Sequence, residues 1–409
     1  MKNINLKNSL NELHKNQQNI QFVIGPKENL TINKINKCFN VNKNWKILIY
    51  FKSTIKQIHI LICLDGTAKA ICPINYLISE EDKEAILKQY DFTHLITDID
   101  DNKLNIFKTF GIKIIKYEKI KFNKINSNKR ILSKTDWLVP TSGTTATPKL
   151  IKHSFQTLSK NIKINKYNTY HYQTWGLLYD ITRYAGYQVF FQALLSGGKL
   201  VITNLDETLN NQINVFIKNN VSNISATPTL WRKILMLPKS KKLNLSQIIL
   251  GGEAADQSIL DALKKIYRFS KITHVYASTE AGLVFSVSDG KSGFPVSFIK
   301  KSKNVVKTRI LNNRLFLKSS RTALSKLGSE SLLSKNGWID SGDIIKIKGK
   351  RFFVVGRENG IINVGGDKVI PEEIRKILLE CSIVQEAVVY GKKNPFEGIS
   401  LTLELLSTK

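Results

Sequence analysis

Thr141-Ser142-Gly143-Thr144-Thr145-Ala146-Thr147-Pro148-Lys149 packs five hydroxyls, a glycine and a lysine into nine residues, directly after the apolar segment Trp137-Leu138-Val139. A loop leaving a strand with this composition can offer backbone N–H groups, hydroxyl donors and a cation to phosphate oxygens. A Ser/Thr-rich surface turn has the same composition, so composition alone leaves both readings open. The G-x-x-x-x-G-K-[ST] spacing of a Walker A loop is absent, which excludes that way of holding a nucleotide.

The order of residues in this segment resembles the phosphate-binding loop of the adenylate-forming superfamily: acyl-CoA synthetases, luciferases and peptide-synthetase adenylation domains. The resemblance implies catalytic roles for Thr141, Thr144 and Lys149, with Ser142, Gly143 and Thr145 binding the phosphates of ATP. Ala146 stands where relatives carry glycine, and its methyl disfavours left-handed backbone. Further segments follow in the family's order. Gly251-Gly252-Glu253-Ala254 resembles the turn that lies against adenine, where glycines let the backbone approach a flat ring. Tyr276-Ala277-Ser278-Thr279-Glu280 resembles the Tyr-Gly-x-Thr-Glu motif. That likeness implies that Tyr276 stacks on adenine, Thr279 touches the α-phosphate and Glu280 is the Mg²⁺ ligand. Taken singly, a Gly-Gly turn is an ordinary βα connection and a strand-end glutamate is often merely solvated. Gly337-Trp338-Ile339-Asp340-Ser341-Gly342-Asp343 resembles Gly-Trp-x-x-Thr-Gly-Asp, which makes Asp343 the acceptor for both ribose hydroxyls.

Gly356-Arg357 resembles the pair that opens the family's hinge, with Arg357 reaching the ribose or phosphates and Gly360 at the pivot. Gly365-Gly366-Asp367-Lys368 resembles the segment lining the path of an incoming pantetheine, so CoA or phosphopantetheine is the implied acyl acceptor; a helix-leading turn is the plainer account. The resemblance also implies a lysine late in the small domain, beyond a segment like Gly398-Ile399-Ser400. The sequence reaches Lys409 before that region, and Lys392 and Lys393 come too early to replace it. Losing one preorganised cation costs about 3 to 4 kcal/mol, a few hundredfold in rate. Three explanations stand: a fragmentary product, a lysine supplied by another chain, or a nucleotide or acyl-adenylate binding protein that no longer adenylates efficiently.

These residues need elements to hold them. Lys46–Phe51 and Ile58–Leu64 are short apolar runs that read as covered strands. Ser79 followed by Glu80, Glu81 and Asp82 predicts a capped helix to about Tyr90, and Thr93–Thr97 a further strand. Lys199–Ile202, Ile224–Ala226, Ile248–Leu250 and Thr273–Tyr276 read as strands; Ile259, Leu260, Leu263, Ile266 and Tyr267 recur at helical spacing between the last two. From about Gly293 to Lys350 short strands and turns predict an antiparallel subdomain. Pro371 suits a first helical position, with Ile374, Ile377 and Leu378 as the inward face. The expected fold is α/β: a large domain over 1–357 of two layered α/β subdomains plus a β subdomain, and a small, shortened α/β cap over 358–409. The resemblance implies an acid pocket in Trp175–Gly198, where Arg183 either binds a substrate carboxylate or pairs with Asp180, the local pair being favoured.

A chain of 409 residues with 42% hydrophobic residues can bury a substantial core. Its +30 formal charge is spread from Lys2 to Lys409 among many Asn and Ile residues, a pattern that fits genome composition ahead of a polyanion partner. No aromatic-basic platform stands out, so no nucleic-acid partner is expected; a positive surface would also suit an acidic carrier protein or a phosphate-rich cofactor, a weaker reading than genome composition. Four cysteines without CxxC spacing read as reduced, packed thiols. No stretch approaches the roughly 20 apolar residues of a membrane helix, so a cytoplasmic enzyme without a span is expected.

Overall fold

The computed structural model describes residues 5–13, 19–124, 134–141, 148–162, 173–204, 206–300, 306–319, 325–326, 337–364, 367–381, 383–394 and 398–407. Contacts divide the chain into two units, the first built from 1–225, 242–245 and 321–332, the second from 226–241, 246–320 and 333–409.

In the first unit the apolar run Lys46–Phe51 forms a central strand with parallel neighbours Ala70–Asn75 and His94–Thr97. The seven-stranded sheet runs Ser325–Lys326, Lys149–His153, Asp136–Thr141, Ala70–Asn75, Lys46–Phe51, His94–Thr97, Lys113–Lys116. Leu48, Tyr50, Cys72, Leu95 and Leu138 from this sheet pack with Ile86 and Leu87 of the Glu80–Gln89 helix, whose start is capped by Ser79. A second group of strands places Thr174–Leu177 parallel to both Lys199–Val201 and Asn223–Ala226, with Gln21–Ile24 parallel to Lys199–Val201.

One expectation is overturned here. Ile58–Leu64 is not a strand but the body of a helix, Thr54–Leu64. Ser53 accepts from Lys56 N at the helix start, and the residues from Ile58 to Leu64 are all buried, so the helix has no polar face to mark its period. A run that is apolar on every side carries no periodicity by which helix and strand differ.

In the second unit Gln247–Leu250 and Lys271–Ser278 are parallel, joined by the Gln257–Ile266 helix that Asp256 caps. Lys271–Ser278 turns back antiparallel on Gly282–Val287, with a register shift between Tyr276 and Ala277. The predicted antiparallel subdomain is a five-stranded sheet in the order Phe294–Pro295, Arg351–Arg357, Ile339–Lys348, Arg314–Ser319, Val306–Leu311. Phe285, Phe294, Leu317, Ile345 and Phe352 form its core, against which Tyr276 packs. Beyond Arg357 come the hairpin Ile362–Val364/Asp367–Val369, the Pro371–Glu380 helix and the hairpin Val384–Asn394/Gly398–Ser407. That helix begins at Pro371 as expected, but its inward face differs: Ile377 is 66% exposed, and Arg375 turns inward instead. Its guanidinium has carboxylate and carbonyl partners that an apolar side chain could not satisfy.

Among the described residues no helix is long and apolar enough to cross a membrane. Cys38, Cys63 and Cys72 are buried thiols and Cys381 is exposed.

Candidate active site

The hydroxyl-rich loop springs from an antiparallel pair in the first unit. Thr141 and Lys149 are cross-strand partners, and Thr141 Oγ1 donates to the Lys149 carbonyl at 3.1 Å, closing the neck. Ser142, Gly143, Thr144 and Thr145 lie outside the described residues, as do Gly365 and Gly366. Beside the neck, Arg183 Nη1 donates to the Pro140 carbonyl at 3.2 Å. Its expected pairing with Asp180 is a long one, Nε to Oδ2 at 4.0 Å. Asp180 is already engaged by Asn75 Nδ2 at 2.6 Å and by Thr182 through both N–H and hydroxyl. Gly186 is there because a Cβ would stand 2.1 Å from the Asp180 carbonyl oxygen.

The other predicted positions fall in the second unit. Gly251 N–H donates to the Ala226 carbonyl at 3.2 Å, and a Cβ on Gly251 would meet Val275 Cγ2 at 2.8 Å, so the turn lies tightly against the strand that carries Tyr276. Gly252 sits at φ +83°, a conformation that disfavours any side chain. Glu253 folds back on the Pro228–Met236 helix, where Oε2 accepts from Thr229 N–H at 3.1 Å and Thr229 Oγ1 at 2.6 Å; a carboxylate at a helix start meets the positive end of its dipole. Thr229 Oγ1 in turn accepts from Arg375 Nη2 at 2.8 Å, which also grips Glu386 at 2.7 Å. Under the turn, His274 is buried, stacks on Phe294 with centroids 4.6 Å apart and bonds to the Glu253 backbone; burial pushes it down to about 4.

Asp343 is the focus of the second unit's polar groups. Its carboxylate is 3% exposed, its Oδ2 accepts from the Tyr276 hydroxyl and its Oδ1 from Arg357 Nε at 3.0 Å. Ser341 Oγ accepts from Asp343 N–H at 3.1 Å and donates to the Leu315 carbonyl at 2.8 Å, fixing the strand at the point where the carboxylate enters. Burial, then the Asp343 charge, raises the Tyr276 phenol well above its ordinary value. For Arg357 burial disfavours the charged form, but Asp343 outweighs it and Glu280 adds to the same side, so the guanidinium is held as a cation. Glu280 is half-buried in the turn that follows Tyr276's strand, with Thr279 beside it.

Residues 37–314 match the model of the AMP-binding enzyme family, more than half of the chain.

This chain belongs to the AMP-binding enzymes.

As a member of that family and of the wider adenylate-forming acyl-CoA synthetase superfamily, it resembles the 2-succinylbenzoate–CoA ligase of Listeria innocua, 22% identical over 273 residues, 64% of this chain and 58% of that protein. The Bacillus subtilis ligase of the same name is 23% identical over 280 residues, 64% of this chain and 56% of that protein. Matched stretches thus span less than two thirds of these relatives. Among solved structures, E. coli MenE with bound OSB-AMS superposes with a TM-score of 0.76 at 16% identity, covering 97% of this chain and 88% of that one. The o-succinylbenzoate CoA synthetase from Bacillus subtilis, solved with ATP and magnesium ion, gives 0.74 at 18% identity, covering 98% and 90%. At such identities the likeness is one of fold.

Within this AMP-binding enzyme the structure gathers Tyr276, Asp343 and Arg357 at one carboxylate, with Glu280 in electrostatic reach, and sets the Gly251–Glu253 turn against the neighbouring strand. Sequence reading missed Thr229, His274, Ser341 and Arg375 as supports. Only Ser341 had a signal, its place two residues before Asp343, and the other three became visible when distant segments met.

Proposed function

We propose that the protein activates a carboxylic acid with Mg·ATP and passes the acyl group to a thiol, that of CoA or of phosphopantetheine on a carrier protein. In the first step a carboxylate oxygen bonds to the α-phosphorus of ATP and pyrophosphate leaves. In the second the thiol sulfur attacks the acyl carbon, gives up its proton and expels AMP. The observation that carries this reading is the buried Asp343 carboxylate, an acceptor-only group held between Tyr276 and Arg357 in a chain of the AMP-binding family. A carboxylate has about four lone-pair sites, so two ribose hydroxyls can join the two donors already present.

Tyr276 offers its ring to adenine beside the Gly251–Gly252 backbone, with Glu253 bracing that turn. Thr279 is assigned to the α-phosphate, Arg357 to ribose or phosphate, and Thr141, Ser142, Gly143, Thr144, Thr145 and Lys149 to the leaving phosphates. Glu280 suits Mg²⁺: magnesium takes one or two protein carboxylates and fills its shell with phosphate oxygens and water, and this carboxylate is half-buried. Bound there, the ion would offset charge on the phosphates. We assign the AMP-binding domain to 1–357 and the cap to 358–409.

Phosphorus NMR of ATP incubated with the protein, Mg²⁺, a broad acid panel and CoA or pantetheine tests the reading. AMP and pyrophosphate should form only when an acid is present. ATP binding without acid-dependent pyrophosphate would instead make this a nucleotide-binding protein of the same fold.

A further inference from the structure

The neck of the phosphate loop is held from outside by a residue with no place in the assignments above. Gln89, the last residue of the Glu80–Gln89 helix, accepts from Leu150 N–H through Oε1 at 3.1 Å. Its Nε2 donates to the Pro148 carbonyl at 2.7 Å and to its own helix at the Ala85 carbonyl at 2.9 Å. Every hydrogen-bonding site of the carboxamide that faces the strand is used, and the two backbone groups it holds flank Lys149. Further along this edge Ile151 and Lys152 pair with Lys326 and Ser325. On the inner side Leu150 faces Pro140, which has no N–H to give. Gln89 thus holds the outward N–H of Leu150 and the carbonyl just ahead of Lys149.

We infer that Gln89 is a positioning residue for the phosphate site: by clamping Pro148 and Leu150 it fixes where Lys149 meets the outer phosphates of ATP. The inference rests on the phosphate-binding reading of the loop. It requires Gln89 to matter for a nucleotide with β- and γ-phosphates and not for AMP. A merely structural side chain would affect both alike or neither.

The test is titration calorimetry of Mg·ATP and of AMP on the wild type, Gln89→Leu, Gln89→Glu and Lys152→Met. The last variant breaks the Lys152–Asp136 ion pair at 2.6 Å on the same strand, away from the neck, and controls for general loosening. Gln89→Leu should weaken Mg·ATP by about five- to twentyfold while AMP stays within about twofold, the scale expected for two lost backbone contacts. Gln89→Glu keeps the acceptor for Leu150 but cannot donate to Pro148, so it should fall between; it also serves if the leucine variant does not fold. Lys152→Met should leave the ATP-to-AMP ratio at the wild-type value. An unchanged ratio in the Gln89 variants overturns the inference and leaves the proposed function standing. A wild type that binds AMP but gains nothing from the added phosphates overturns the inference and the loop's assignment, and one that binds neither nucleotide overturns the proposed function as well.

Discussion

Asp343 and Arg357 face each other across an antiparallel pair, cross-strand partners whose side chains meet with Arg357 Nε 3.0 Å from Asp343 Oδ1. The carboxylate end of the pair is buried while Arg357 is about half-exposed, side-chain values of 4% and 51%. A pair with one partner in water contributes little by itself. The Tyr276 hydroxyl on the other oxygen matters more, because that donor is buried.

Asp343→Ala should therefore destabilise the protein by about 1–3 kcal/mol, most of it from the stranded Tyr276 hydroxyl. Tyr276→Phe removes the donor together with its need and should cost less. In the double variant the two losses should not add, which urea unfolding of the set would read directly.

The turn against which the base is proposed to lie rests on a histidine that is buried in its neutral form. His274 is pushed from 6.5 to about 4 by burial, so between those values the unfolded chain takes up a proton that the folded chain refuses. Stability from this group is full above about pH 6.5 and is lost as pH falls toward 4, about 3 kcal/mol in all. His59, likewise pushed to about 4, acts in the same direction. Asp65, raised to about 6 by burial, acts in the opposite one, adding stability as pH falls below 6. Urea melts from pH 4 to 7 should show acid destabilisation that is shallower by one proton in His274→Gln.

Much of this arrangement could be read before folding and some could not, for physical reasons. The strands Gln247–Leu250 and Lys271–Ser278 end in turns whose residue order is distinctive, so the Gly251–Glu253 turn and the Tyr276–Glu280 segment could be placed on their elements. Thr54–Leu64 could not, since a helix buried all round looks like a covered strand. The Tyr276–Asp343 bond joins residues 67 apart, and neither residue type announces the other. Arg375 sat in a helix whose apolar residues implied a different inward face, and only its contacts with Glu386 and Thr229 explain why it turns in.

Arg375 anchors the Pro371–Glu380 helix through Glu386, Thr229 and the Ala387 carbonyl. Arg375→Ala leaves the Glu386 carboxylate, 14% exposed, without its cation and should cost about 1–3 kcal/mol. Arg375→Lys should restore little, because a point charge cannot reach the same partners as the guanidinium fork. Limited proteolysis near the Glu358–Gly360 turn should accelerate in both variants.

Glu280→Gln keeps the size and removes the charge proposed to hold magnesium. Acid-dependent pyrophosphate release should fall by about a hundredfold or more, with the unfolding midpoint unchanged. An equal rate in the variant would remove Glu280 from the metal site.

The account turns on a nucleotide whose sugar is gripped by one buried carboxylate, and the affinity of the protein for ATP compared with dideoxy-ATP, which lacks both ribose hydroxyls, addresses that grip directly. Wild type should prefer ATP by about tenfold or more, and Asp343→Ala should show no preference. Equal binding of the two nucleotides by the wild type would contradict the account.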